Sequence, residues 1–234
     1  MTTDIRPIKA LIGTRDEHIE SVKVAVVMAI VVFIYEAISS FIIPDFQLNW
    51  FEIIGTWTGL ICVWLARTQN ILTWPWGIIS VGLLGYFFAT IGLPGQQWLN
   101  WGYFLIIQFW AWPQWAFGGK QANVLPVTLL TNKARLILLA IALLATGVIY
   151  FLIDIIVPGS TFPLLDATVV ASSIVAQYLL GLKKVESWVL WLGPVNLLSI
   201  ILFFIAGAYT VMALYIAYFI HAIWALRTWY QEAR

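Results

Sequence analysis

Two tryptophans one helical turn apart, a Gly-Pro step and an asparagine make up "WVLWLGPVN", from Trp188 to Asn196, inside a run that is otherwise apolar. Trp188 and Trp191, at i and i+3, share one helix face, and Asn196 adjoins it. Indole faces attract cations and stack on planar rings, and an amide offers both donors and acceptors. These residues suit recognition of a flat cationic heterocycle bearing hydroxyls or a carboxamide. Pro194 lacks the N–H for an intrahelical hydrogen bond and crowds the preceding turn, so the helix is expected to bend or open there. Loosened backbone is tolerated at membrane depth only against protein or a water-filled cavity, which favours a site beside Asn196.

A second constellation lies on the helix expected to begin at residue 98. At 3.6 residues per turn, Asn100, Trp101, Phe104, Gln108, Trp112 and Trp115 fall within about a third of the circumference, so one face carries amides and rings. Trp101, Trp115 and Trp188 also suit an interfacial aromatic belt, and Gln108 also suits a hydrogen bond between helices. The depth of Gln108 favours a cavity, because an amide facing lipid is expensive. No Lys or Arg falls near mid-depth of these segments. A phosphorylated ligand would therefore lack a charge partner, and the unphosphorylated nucleoside is favoured over its nucleotide.

The elements that position these residues are membrane helices. Hydrophobic residues make up 62% of 234, only 10% are charged, and the mean hydropathy is +0.92, which excludes a domain with a water-facing surface. One cysteine, Cys62, excludes a disulfide framework and a thiolate metal site. The first twenty residues mix both charge signs and lack a short apolar core with a cleavage site, so no removable signal peptide is expected. Eight spans are expected, at about 24 to 43, 50 to 66, 74 to 91, 98 to 117, 134 to 157, 165 to 181, 188 to 206 and 209 to 227. With that count all 12 Lys and Arg fall on one side, and the loops around "PDFQLN", "LPGQQ", "PGSTFP" and "GAY" hold none. Both termini are therefore expected in the cytoplasm.

The chain also aligns with itself. Sliding by 114 residues, without a gap, puts Trp74 on Trp188, Trp101 on Tyr215, Phe104 on Tyr218, Trp110 on Trp224, Trp115 on Trp229 and Glu52 on Asp166. Tyr215 and Tyr218 thereby join the candidate site. The expectation is a single transmembrane domain over 1–234: an extra N-terminal helix at 24–43, one three-helix repeat at 50–117, a linker helix at 134–157, and a second repeat at 165–229. Three helices plus one linker make the repeats parallel, the arrangement that places substrate near the midplane between them. The polar content is not doubled, since Asn196 falls on Gly82 and Pro194 on Ser80. Gly82 is expected to serve close helix packing.

The W-x-x-W followed by Gly-Pro-x-Asn, the tryptophan-rich "TWPWGIISVGLLGYFFATIGLPGQQWLNWGYF" and the aromatic last helix "YIAYFIHAIWALRTW" resemble the bacterial PnuC family of vitamin transporters over about residues 50 to 230. The resemblance implies an all-α, SWEET-like 3+1+3 bundle in the bacterial cytoplasmic membrane, here with one extra helix to which no transport role is assigned. It implies nicotinamide riboside as substrate, with thiamine or riboflavin as alternatives within the family. It also implies facilitated diffusion made one-way by a cytoplasmic riboside kinase. The expected partners are that small molecule, membrane lipid and a further copy of the chain; nucleic acid, cofactors and metals are not expected.

Rival chemistries have less support. Glu52, Asp166 and Asp154 stand near the outer ends of their spans and Glu36 on the extra helix, positions that suit solvated rims, with attraction of a cation or proton coupling as the alternative. His221 suits a hydrogen-bonded packing role better than a proton relay. An ATP-driven pump would need a phosphate-binding loop, which "FGGKQ" does not supply. An intramembrane protease could use Ser80 with His221, or Asp154 with Asp166. Yet "GIISVG" around Ser80 lacks the glycine pattern of a nucleophile elbow, and a protease has no use for a parallel repeat. No enzymatic activity is expected.

Overall fold

The computed structural model describes residues 10–42, 47–90, 94–120, 124–156, 162–205 and 209–234. Arg6 and Lys9, and part of each of the four loops expected to lack basic residues, lie outside the described residues. Helices account for the fold; among the described residues the sole β feature is an isolated parallel bridge between Thr128 and Lys184. The chain divides into two compact units, Met1–Val124 and Leu125–Arg234.

The first unit holds α1 (Arg15–Ile42), α2 (Trp50–Arg67), α3 (Thr73–Thr90) and the rod α4, which runs through Pro94–Trp98, a π-helical stretch at Leu99–Phe104, and Leu105–Phe117. Asn49 caps α2, its side-chain oxygen accepting from the Phe51 and Glu52 N–H groups at 3.0 and 3.3 Å. Helix α1 buries only Ser21, Val24, Ala25, Val32 and Ser39. Small residues on that seam permit close approach, and Val, Ile and Phe side chains cover the remaining faces. Two indoles anchor it: Trp57 Nε1 donates to the Ala25 carbonyl at 2.9 Å and Trp76 Nε1 to Ser21 Oγ at 2.7 Å.

The N-terminal end of α1 is tied to the α2–α3 turn. Thr14 and Glu17 form a capping box, with the Thr14 N–H donating to Glu17 Oε2 at 2.7 Å and the Glu17 N–H to Thr14 Oγ1 at 3.3 Å. The other carboxylate oxygen of Glu17 accepts the Ile71 N–H at 3.1 Å. Asn70 Nδ2 donates to the Glu17 carbonyl at 2.9 Å and to Glu20 Oε2 at 3.0 Å. Trp112, from the end of α4, donates to the Leu11 carbonyl at 2.9 Å.

The second unit holds α5 (Asn132–Ile156), α6 (Pro163–Gly181), the rod α7 made of Glu186–Leu190, a π-helical stretch at Trp191–Leu197 and Leu198–Ile205, and α8 (Tyr209–Glu232). No residue of α5 is buried. Its start is fixed by Glu186, which accepts from the Leu130 N–H at 3.1 Å and from Arg135 Nε at 2.9 Å. Each expected span overlaps one of these helices, several of which are longer than expected. Among the described residues four stretches are long and apolar enough to cross a membrane by length and composition: Ala10–Ile42, Asn132–Ile156, Pro163–Gly181 and Glu186–Ile205.

The 114-residue offset reappears as local structure in each unit. The α2–α3 and α6–α7 turns are the same Schellman-type turn: Gln69 and Lys183 are left-handed, at φ 59° and 49°. The Asn70 N–H donates to the Leu65 carbonyl at 3.0 Å, and the Lys184 N–H to the Leu179 carbonyl at 2.9 Å. The six residues α2 buries, Gly55, Thr58, Gly59, Ile61, Leu65 and Ala66, correspond to Val169, Ser172, Ser173, Val175, Leu179 and Leu180 of α6, all buried. What closes each turn differs. The Ile71 N–H uses the Glu17 side chain, whereas the equivalent Val185 N–H uses the Thr128 carbonyl at 3.1 Å.

Candidate functional site

In the first unit the third helix packs its polar face on the glycines of α3. Gln108 is buried at 3% exposure, and its Oε1 has no hydrogen-bond partner. Its amide lies on Gly77, where an added Cβ would collide with Oε1 and stand 2.9 Å from Cys62 Sγ. Trp101 packs in the same way on Gly85, and its Nε1 donates to the Gly82 carbonyl at 2.9 Å. Asn100 is buried and spends a donor inside its own rod, Nδ2 to the Gln96 carbonyl at 2.8 Å. Phe104 is half-buried, its ring centroid 5.8 Å from that of Tyr103.

Two expectations for this unit need correction. An unbroken 3.6-residue face over 98 to 117 does not hold, because the rod is π-helical from Leu99 to Phe104. The wider turn rotates Asn100, Trp101 and Phe104 relative to Gln108. Nor is Gly82 a packing glycine: a Cβ there would meet nothing within 4 Å. Its contribution is the carbonyl that Trp101 uses; close approach occurs at Gly77, Gly85 and Gly55 instead.

In the second unit the helix opens where Pro194 predicts it. The π-helical stretch runs from Trp191 to Leu197 with Pro194 inside it, a local widening that recurs at functional sites. Asn196 is buried at 2% exposure with an unpartnered Oδ1. Trp188 is buried, its ring edge-on to Trp229 at 5.6 Å and to His221 at 6.1 Å. Its Nε1 has no partner. Trp191 is half-buried. Tyr215 and Tyr218 meet edge-on at 5.8 Å, and Tyr215 also packs on Phe203 at 5.2 Å. Each unit thus gathers its own candidates: Trp101 and Gln108 against α3, Trp188 against α8, and the two tyrosines on α8.

Trp74 is absent from the candidates chosen by sequence, although the 114-residue offset pairs it with Trp188. It is 2% exposed, its Nε1 is unpartnered, and it meets Trp115 edge-on at 4.9 Å. That reproduces the Trp188–Trp229 pair. Buried polar atoms are ordinarily hydrogen-bonded. Unpartnered atoms on Gln108, Asn196, Trp74 and Trp188 are therefore costly to the protein.

Glu52 and Asp166 lie in the first turns of α2 and α6, where the helix dipole favours a carboxylate. Ser80 Oγ donates to the Gly55 carbonyl at 2.8 Å, so its proton serves the α2–α3 contact.

Helices this apolar, four of them among the described residues long enough to cross a membrane, belong to a multi-pass membrane protein. A family model described as nicotinamide mononucleotide transporter matches residues 49–231, and the chain belongs to that family of membrane transporters. It is 27% identical to the nicotinamide riboside transporter PnuC of Escherichia coli (strain K12), over 81% of this chain and 88% of that protein. The PnuC of Neisseria mucosa is 28% identical, over 91% and 81% respectively. The riboflavin/roseoflavin transporter RibM of Streptomyces davaonensis is 27% identical, over 83% and 91%. A crystal structure of the vitamin B3 transporter PnuC superposes with a TM-score of 0.71 at 25% identity, covering 96% of both chains. That coverage takes in α1, which precedes the family match.

Proposed function

We propose that this chain carries nicotinamide riboside across the bacterial cytoplasmic membrane by facilitated diffusion, with both termini in the cytoplasm. The chain is a SWEET-like 3+1+3 bundle of two parallel three-helix repeats. The residues that bind the substrate are Trp188, Trp191, Asn196, Tyr215 and Tyr218 of the second repeat and Asn100, Trp101, Phe104 and Gln108 of the first. Indole rings stack on the cationic pyridinium, and the amides take the carboxamide and ribose hydroxyls. A cytoplasmic riboside kinase then traps the product by adding charge.

The observation that carries this reading is the pair of buried amides, Gln108 and Asn196, each with an oxygen lacking a partner. The family description names a mononucleotide, whereas the PnuC relatives are named for the riboside. Charge favours the riboside. Arg67 ends α2 and Lys183 follows the end of α6, no Lys or Arg falls near mid-depth of either repeat in the sequence, and a buried phosphate without a cation is strongly disfavoured. Riboflavin is the second reading, favoured by the likeness to RibM.

Calorimetry on purified protein with nicotinamide riboside, nicotinamide mononucleotide, riboflavin and thiamine tests the proposal. Binding of the riboside alone is expected. Tight binding of the mononucleotide would overturn the charge argument, and binding of riboflavin alone would move the substrate to the second reading.

A further inference from the structure

Gln108 holds its amide against bare backbone. A Cβ built on Gly77 would fall onto Gln108 Oε1, and it would also stand 3.0 Å from Gln108 Cδ and 2.9 Å from Cys62 Sγ. The amide therefore occupies the space that a side chain at position 77 would fill. On the flanks of that slot are Trp74, three residues before Gly77, and Trp115, seven after Gln108, in edge-on contact at 4.9 Å.

Gly55 serves as an internal contrast. An added Cβ there would meet Leu84 Cγ at 2.8 Å and the Leu84 backbone N at 3.3 Å. Gly55 is a packing glycine, because what it admits is a neighbouring helix. Gly77 admits the polar head of one flexible side chain, and that head has an unpartnered oxygen. A methyl group at position 77 would leave the helices where they are and move the amide.

We infer that Gly77 is a positioning residue for substrate: its missing side chain sets where the Gln108 amide stands and so sets affinity. This rests on the proposal that Gln108 contacts the substrate. Glycine is used wherever backbone must be approached closely, and a site polar group displaced by about 1 Å loses much of its effect. Cys62 sits on the far side of the slot and limits how the amide can yield.

The test compares Gly77→Ala, Gln108→Ala and the double variant by calorimetry with nicotinamide riboside, alongside thermal unfolding in detergent. Gly77→Ala is expected to weaken binding about tenfold or more while unfolding near the wild-type temperature. Gln108→Ala is expected to weaken binding as well, and the double variant to bind as Gln108→Ala does, since no amide remains to be displaced. Such non-additivity is the mark of residues acting through one another. Should Gly77→Ala fail to fold, the double variant, freed of the collision with the Gln108 amide and left only with the Cys62 contact, still decides the matter against Gln108→Ala. Wild-type affinity in Gly77→Ala, or a double variant weaker than Gln108→Ala, would overturn the inference. Normal binding by Gln108→Ala would instead overturn the assignment of Gln108 to the site.

Discussion

Gln69 and Lys183 hold the same left-handed backbone at corresponding points of two turns, φ 59° and 49°, 114 residues apart. Neither is glycine, although the left-handed region costs a side-chain-bearing residue about 1 kcal/mol or more. Gln69→Gly is therefore expected to raise stability by about 0.5 to 1 kcal/mol, and Gln69→Val to lower it. Thermal unfolding of the two variants in detergent checks the sign; a glycine variant less stable than wild type would show that the glutamine side chain outweighs the backbone term.

Asn196 should trade stability against function. Its buried Oδ1 is unpartnered, and leaving such a group unsatisfied costs about 1 to 3 kcal/mol. Asn196→Leu, with the same branching and number of side-chain heavy atoms but apolar, is expected to unfold at the same or a higher temperature without ligand and to lose the stabilisation that nicotinamide riboside gives the wild type. Trp191→Ala is expected to lose binding with the fold intact, through loss of a stacking surface. Unchanged affinity in Asn196→Leu would place the site elsewhere.

The tie between α1 and the α2–α3 turn gives a third expectation. Asn70 is 2% exposed; its Nδ2 donates to Glu17 O and Glu20 Oε2, and its Oδ1 accepts the Leu72 N–H at 3.0 Å. Asn70→Ala strands those partners and should cost about 2 kcal/mol. Glu17→Gln loses the charge and turns one of the two accepting oxygens into an NH2 donor that faces either the Ile71 or the Thr14 N–H, so it too should cost about 1 to 3 kcal/mol. Chemical denaturation of both variants ranks them; equal, negligible losses would mean that α1 does not brace the turn.

Transport itself should be passive. Glu52 and Asp166 occupy first helical turns, and no carboxylate of either repeat lies at mid-depth in the sequence. Uptake of nicotinamide riboside into sealed vesicles is expected to follow its own gradient and to survive collapse of the proton and sodium gradients. Concentrative uptake without a kinase, abolished by a protonophore, would contradict this.

What was legible in the sequence is what depends on local pattern. Apolar run length set where the helices fall along the chain, and the opening of α7 followed from Pro194 alone, because a proline removes its hydrogen bond wherever the chain goes. The 114-residue offset predicted two like units, and it reappears in the left-handed pair Gln69 and Lys183 and in the buried faces of α2 and α6. The Thr14–Glu17 capping box carries a readable T-x-x-E signature.

Tertiary structure decided the partners. The π-helical stretch at Leu99–Phe104 contains no proline to announce it, and it shifts Trp101 off the face that a regular helix would give it. That Gln108 lies on Gly77, that Trp101 uses the carbonyl of Gly82, and that the second oxygen of Glu17 reaches Ile71 54 residues away all depend on which helix faces meet. Periodicity identifies a face but not what covers it, because hydropathy is a property of single residues and a hydrogen bond is a property of two brought together by the fold.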